Sequence, residues 1–243
     1  MEAEFWHTRW EKSEIGFHQE EINTHLQTFW SELAPQQETT IFVPLCGKTR
    51  DMIWLRAEGY DVLGVEVSPI AVEAFFQEHA LEPVINTQGD FQRWEVDGLA
   101  ILCGDYFRLH KKDLARTGAV YDRASLIALP PRMRASYVQQ LKAILPPAVQ
   151  MLLITLEYPQ EEMKGPPFSV EEQEVRQLFS ADYEITRLCD FDILQENPRF
   201  QAKGLTRFNE KVFRLVIDEQ VPVSRHHDPD RFQPGPFRGQ CLL

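Results

Sequence analysis

Apolar runs of strand length alternate with amphipathic stretches between residues 41 and 217, and that alternation restricts the chain to few folds. It specifies an α/β protein with a mostly parallel sheet and helices on both faces. The first run, residues 41–45, ends at Cys46-Gly47. The second, residues 62–67, closes on Ser68-Pro69, a capping residue followed by proline at the first helical position. The helix that follows carries Ile70, Val72, Phe75 and Phe76. Residues 99–103 are expected as a third strand stopping at Gly104-Asp105, and residues 121–129 as a fourth. Residues 133–145 read as a helix, 151–156 as a fifth strand, and 170–179 as another helix. Residues 183–191 and 211–217 are expected to pair as an antiparallel edge, because the linker between them shows no helical periodicity.

Two segments lie outside the alternation. Residues 1–35 contain Trp6, Trp10, Phe17 and Trp30, which is unusually aromatic for a leader before a first strand. Residues 219–243 contain Pro222, Pro229, Pro234 and Pro236 with no periodic apolar face, and read as a mobile tail. The expected organisation is therefore one domain over residues 1–218, with 1–35 as an aromatic cover. The 37 Asp and Glu outnumber the 25 Lys and Arg, for a net charge of -12. That balance argues against a nucleic-acid partner, since neutralising phosphates needs a basic surface. No apolar run approaches the roughly 18–20 residues of a membrane span. The N-terminus lacks the basic-then-apolar order of a signal peptide. Cys46, Cys103, Cys189 and Cys241 are widely separated and read as reduced thiols of a cytoplasmic protein.

In open α/β sheets, ligands bind beyond the carboxyl ends of the strands, near the switch in strand order. Gly47 follows the first strand and can adopt a turn that lets the backbone approach a ligand, or serve only a plain strand-to-helix turn. The G-x-G-x-x-G fingerprint is absent. Gly47-Lys48-Thr49 has the ending of a phosphate-binding loop, but Phe42 stands where its first glycine belongs. Glu66, about 20 residues on, can accept both ribose hydroxyls of an adenosine, or lie solvated at a sheet edge. Asp105 can meet an adenine amino group with Tyr106 covering the ring, although Gly-Asp is also ordinary turn chemistry. Arg123 is read early in the fourth strand. A guanidinium there needs an anionic ligand or an internal ion pair with Asp122 or Asp105. Trp6 and Trp10, four residues apart, either pack a helix onto the sheet or form a cover that excludes water. His226-His227 with Asp228 and Asp230 read as solvated tail residues, and no metal site is expected. Cys46 has no assigned base, so no nucleophile dyad stands out.

With those residues in hand, the sequence resembles the thiopurine S-methyltransferases, particularly bacterial ones. The matching segments are Trp6-His7-Thr8-Arg9-Trp10, Gly16-Phe17-His18-Gln19, Phe42-Val43-Pro44-Leu45-Cys46-Gly47-Lys48, Gly64-Val65-Glu66-Val67-Ser68, Tyr121-Asp122-Arg123-Ala124 and Gly165-Pro166-Pro167-Phe168. The resemblance covers roughly residues 4–217. It implies a class I, Rossmann-like methyltransferase fold with a seven-stranded, mostly parallel sheet, and S-adenosylmethionine as methyl donor. By resemblance, Trp10, Leu45, Glu66 and Arg123 fall on donor-binding positions, Asp105 and Tyr106 on the adenine-side loop, and Phe17 on an aromatic substrate contact. Arg123 is also the candidate catalytic residue. The implied acceptor is an aromatic or heterocyclic thiol such as a thiopurine, with selenium or tellurium species as related acceptors, handled by a cytoplasmic monomer. Two other readings remain at this point. A nicotinamide-dependent oxidoreductase would use Glu66 equally well but lacks the second and third glycines that the pyrophosphate needs. A non-catalytic adenosine-binding module would bind ligand without turnover. Because residues 219–243 lack an apolar face, truncation after Asp218 is expected to leave the melting temperature and methyl transfer nearly intact, as a thermal melt and a methyl-transfer assay would report.

Overall fold

The structure, a computed structural model, describes residues 3–16, 18–36 and 38–217. The tail from residue 219 therefore lies outside the described residues. The strands are β1 (Thr40–Val43), β2 (Asp61–Glu66), β3 (Val84–Gln88), β4 (Phe91–Val96), β5 (Leu99–Cys103), β6 (Thr117–Asp122), β7 (Gln150–Glu157), β8 (Tyr183–Asp192) and β9 (Asn209–Ile217). The helices are α1 (Ala3–Glu11), α2 (Thr24–Phe29), α3 (Asp51–Ala57), α4 (Pro69–Glu78), α5 (Ser125–Ala128), α6 (Pro131–Ile144), α7 (Glu172–Phe179) and α8 (Pro198–Gln201). All nine strands form one sheet in the order β3-β4-β5-β2-β1-β6-β7-β9-β8. The five central strands, β5-β2-β1-β6-β7, run parallel. An antiparallel pair flanks each side.

Side-chain alternation along the strands divides the core into two layers. Phe42, Leu63, Val65 and Leu153 face one layer, packed under α6 and α7 by Tyr137, Leu141, Val175 and Phe179. Ile41, Val43, Val62 and Ile154 face the other, against Leu26, Leu55, Phe75 and Phe76 of α2, α3 and α4. In α7 the two buried residues, Val175 and Phe179, are one helical turn apart.

Two expectations need correction. The sheet has nine strands rather than seven, because residues 84–96 form the hairpin β3–β4. Strand β3 is almost wholly exposed, and Val84-Ile85 is too short an apolar stretch to read as a strand. The link from β4 to β5 is Asp97-Gly98, with φ of 45° and 77°, the positive pair that a two-residue hairpin turn requires. The fourth expected strand also ends early, at Asp122. The Asp122 Oδ1 accepts the Ser125 amide at 3.1 Å, which starts helix α5 where extended chain was expected. Arg123 consequently stands just past the carboxyl end of β6.

Arg134 joins these elements. It is 1% exposed; its Nε donates to the carbonyls of Leu126 and Leu129, both at 3.0 Å, and its Nη2 to that of Ser169 at 2.9 Å. Its Nη1 reaches Glu174 at 2.6 Å. One side chain thus satisfies the end of α5 and the approach to α7. Arg134→Met keeps the aliphatic stem but strands the carbonyls of Leu129 and Ser169 and leaves Glu174 without its ion pair, and is expected to lower unfolding free energy by about 3–5 kcal/mol. Urea unfolding should show this as a lower midpoint with unchanged slope.

Candidate active site

Strand β1 is flanked by β2 on one side and β6 on the other, so the chain order reverses there. A cavity of about 690 Å³ opens along the carboxyl edge at this point. That is within the range of small-molecule sites. It extends from the end of β2 to the start of β9, four strand spacings or roughly 19 Å.

The floor is built from the turn after β1. Leu45 has φ of 49° and Gly47 of 54°. Left-handed backbone at a leucine costs on the order of 1–3 kcal/mol and is held only by its surroundings. Leu45 packs against the α6-side core, and the Cys46 amide donates to the Val65 carbonyl at 3.0 Å, which fixes the turn to β2. At Gly47 a Cβ would lie 3.4 Å from Cζ2 of Trp10, so the indole and the turn meet with no side chain between them. Trp10 itself is buried, near the end of α1.

Glu66, 6% exposed, lines this end of the cavity. Its Oε2 accepts the Gly47 amide at 2.9 Å and its Oε1 the Ser68 amide at 2.8 Å. A carboxylate accepts about four hydrogen bonds, so capacity for two more donors remains. Burial pushes the Glu66 pKa above its ordinary value, opposed by the amides of Ser68, Gly47 and Val67. Ser68 occupies the cap position of α4, but its hydroxyl makes no capping bond. Beside Glu66, burial and the Glu66 charge push the Cys46 thiol well above its usual pKa.

Arg123 stands mid-cavity, two strand spacings from Glu66. Its Nε donates to Asp51 Oδ2 at 3.1 Å and its Nη2 to Thr49 Oγ1 at 3.3 Å. The expected internal partners, Asp122 and Asp105, are both engaged elsewhere. Asp122 accepts the Tyr137 hydroxyl at 2.7 Å, and Asp105 accepts the Phe107 amide at 3.0 Å. Burial works against the Arg123 charge, but Asp51 leads the groups that outweigh it, and the guanidinium pKa rises.

The far wall is apolar. Ile154 and Leu156 of β7, Pro166, Pro167, Phe200 and Phe208 contribute to it. The peptide bonds Gly165-Pro166 and Pro166-Pro167 are both cis. The Tyr158 hydroxyl holds the Pro167 carbonyl at 2.6 Å, and the Phe168 amide holds that of Ile127 at 2.7 Å. The N-terminal segment closes the top. Arg199 donates to the Gly16 carbonyl, and His25 Nε2 meets Glu210 Oε2 at 2.8 Å, tying the segment to α8 and β9. Among the described residues no helix is long and apolar enough to cross a membrane, and no group of three His, Cys, Asp or Glu is placed to hold a metal.

The family model for thiopurine S-methyltransferase matches residues 1–218. The chain belongs to the thiopurine S-methyltransferase family. A relative so named from Nitrosospira multiformis is 52% identical over 216 residues, covering 89% of this chain and 98% of the relative. One from Pseudomonas aeruginosa is 48% identical over 215 residues, covering 88% and 99%. Among solved structures, a SAM-dependent methyltransferase from Anabaena variabilis superposes with a TM-score of 0.60 at 15% identity, covering 89% of this chain and 95% of that one. The 1,6-didemethyltoxoflavin-N1-methyltransferase of Burkholderia thailandensis, solved with S-adenosylhomocysteine, gives 0.58 at 15% identity, covering 88% and 86%. The sheet described above is thus a class I methyltransferase fold.

Of the positions that the thiopurine S-methyltransferase family suggests, Trp10, Leu45, Glu66 and Arg123 all line the one cavity. Asp105 and Tyr106 do not. Asp105 is exposed and caps the short turn Tyr106–Arg108. Tyr106 is 3% exposed; its hydroxyl donates to the Tyr137 carbonyl at 3.1 Å and its ring packs 4.8 Å from the Tyr137 ring. Tyr106 thus packs in the core and does not line the cavity. Phe17 and the pair His226-His227 lie outside the described residues. Asp51, Thr49 and Glu210 were not anticipated from sequence. Asp51 opens a helix, where an acidic residue is ordinary, and only folding brings it to Arg123.

Proposed function

We propose that this S-adenosylmethionine-dependent S-methyltransferase holds its donor over Glu66, Gly47 and Trp10. Its acceptor, an aromatic or heterocyclic thiol, lies between Arg123 and the apolar wall. The observation that carries the reading is the buried Glu66 carboxylate, oriented by two backbone amides with acceptor capacity left over. The two remaining sites suit the paired hydroxyls of a ribose. Leu45 and Trp10 bound the same end of the cavity. Phe17 is assigned to the acceptor ring on the resemblance of its Gly16-Phe17-His18-Gln19 segment to the family. Asp105 is assigned to the outer rim, beyond the adenine.

Bound S-adenosylmethionine supplies an electrophilic methyl group on a sulfonium. Transfer to sulfur cancels that charge, so no general acid and no oxyanion hole is obligatory. The chain's work is alignment and exclusion of water. Proline and aromatic side chains give the acceptor a dry wall, and the Trp10-bearing segment closes over it. Arg123 favours the acceptor as thiolate, or fixes the ring nitrogen that surrenders a proton. The other readings, nicotinamide hydride transfer and ligand sensing without turnover, gain no support from the family or from this cavity. We further take residues 1–218 as one domain of a cytoplasmic monomer, in keeping with its acidic charge and separated thiols.

Two expectations test the assignments. Glu66 accepts from both ribose hydroxyls through charged hydrogen bonds only when ionised, and its pKa lies above the ordinary 4.5. Donor affinity is therefore expected to weaken as pH falls, starting at a higher pH than an ordinary glutamate would dictate. Glu66→Gln should bind roughly ten- to a hundredfold more weakly near neutrality, on the scale of a charged hydrogen bond, and show little pH dependence there. Titrations with S-adenosylhomocysteine across pH measure both. Arg123→Lys keeps the charge but loses the planar fork. Its turnover with 6-mercaptopurine should fall about ten- to a thousandfold, with donor affinity held within a few-fold. A fully active variant would return Arg123 to the scaffold.

A further inference from the structure

Asp51 is 1% exposed and does not line the cavity, yet its carboxylate collects three donors from two separate parts of the chain. The Asn23 amide reaches Oδ1 at 2.8 Å. The Tyr121 hydroxyl reaches Oδ2 at 2.9 Å, and Arg123 Nε reaches the same oxygen at 3.1 Å. Asn23 is itself fixed, because its side chain caps α2 through the amides of His25 and Leu26 at 3.0 and 3.1 Å. Thr49 completes the frame: its Oγ1 receives both the Asp51 amide and Arg123 Nη2, each at 3.3 Å.

A buried carboxylate held from two sides has one orientation available. Asn23 and Tyr121 set the Asp51 plane, and Asp51 and Thr49 then grip Arg123 along its Nε–Nη2 edge. Nη1 makes no hydrogen bond to the described residues and is left for the cavity, which Arg123 lines. We propose that Asp51 is the positioning residue of the methyl-transfer site, acting through Arg123 to aim the guanidinium at the acceptor. This inference rests on the assignment of Arg123 to the acceptor made above. It also explains why the grip is on Nε: a bidentate pair through both terminal nitrogens would consume the face that points into the cavity.

A double-mutant cycle separates positioning from simple support. Asp51→Asn, Arg123→Lys and the double variant are compared for kcat and KM with 6-mercaptopurine, for S-adenosylhomocysteine affinity, and for melting temperature. Asp51→Asn is expected to lower kcat about ten- to a hundredfold, the scale of one mis-set donor, with donor affinity within about threefold. In the Arg123→Lys background the same change should cost less than about twofold in kcat, since the fork it aims is gone. Tyr121→Phe removes one of the donors that orient Asp51 without touching Arg123. It gives a second route should Asp51→Asn not fold, with a smaller kcat loss that also vanishes beside Arg123→Lys. Losses that multiply in full across the cycle overturn the positioning role and leave Asp51 as scaffold. An Arg123→Lys variant with normal kcat and KM removes the assignment of Arg123 itself, and the inference falls with it.

Discussion

Parallel pairing of the five central strands is the constraint from which the site follows. Parallel neighbours must all end on the same edge, so the turns after β1, β2 and β6 emerge side by side. Each strand end brings its own residues: Gly47 and Thr49 after β1, Glu66 at the last position of β2, Arg123 just past β6. None of these residues is near another in sequence, apart from the first pair. Their proximity is a property of sheet order, and the reversal of that order around β1 leaves the space they share.

The antiparallel pairs on either side do different jobs. At the β3–β4 side the sheet runs out into a largely exposed strand, and neither strand lines this cavity. At the opposite side β9 inserts between β7 and β8, and its first turn of chain delivers Glu210 to the cavity rim opposite Leu156. Segments before β1 and after β8 meet there, through Arg199 with Gly16 and His25 with Glu210. The roof of the cavity is thus assembled from the two extremities of the described chain, over a floor made from its middle.

Much of this was legible in the residues. β1, β2, β5 and β7 are written as continuous apolar runs because both their faces are buried, and Glu66 stood out as a charge inside one of them. The hairpin β3–β4 escaped notice because its outer strand buries almost nothing. Asp97-Gly98, which joins β4 to β5, is by contrast an ordinary hairpin turn pair written plainly in the sequence. Arg123 was placed inside a strand because the run 121–129 is apolar in composition. Composition does not record that Asp122 binds the Ser125 amide and ends the strand. Asp51 and Tyr106 mark the limit of such reading. One carboxylate at a helix start and one tyrosine after a strand look alike from sequence, and only folding brings the first to Arg123 and packs the second against Tyr137.

Cys46 gives the chain a chemical problem of its own. A protein that alkylates sulfur keeps a sulfur in the wall of the same cavity. Methyl acceptance belongs to the thiolate, since the protonated thiol is a poor nucleophile. At Cys46, burial and the neighbouring Glu66 charge both hold the proton on. The Sγ also packs back toward Gly64, where an added Cβ would lie only 2.7 Å from it. The missing side chain at position 64 therefore gives the thiol the room it occupies. The carboxylate assigned to ribose and a glycine on the neighbouring strand thus also set the state and the seat of this sulfur.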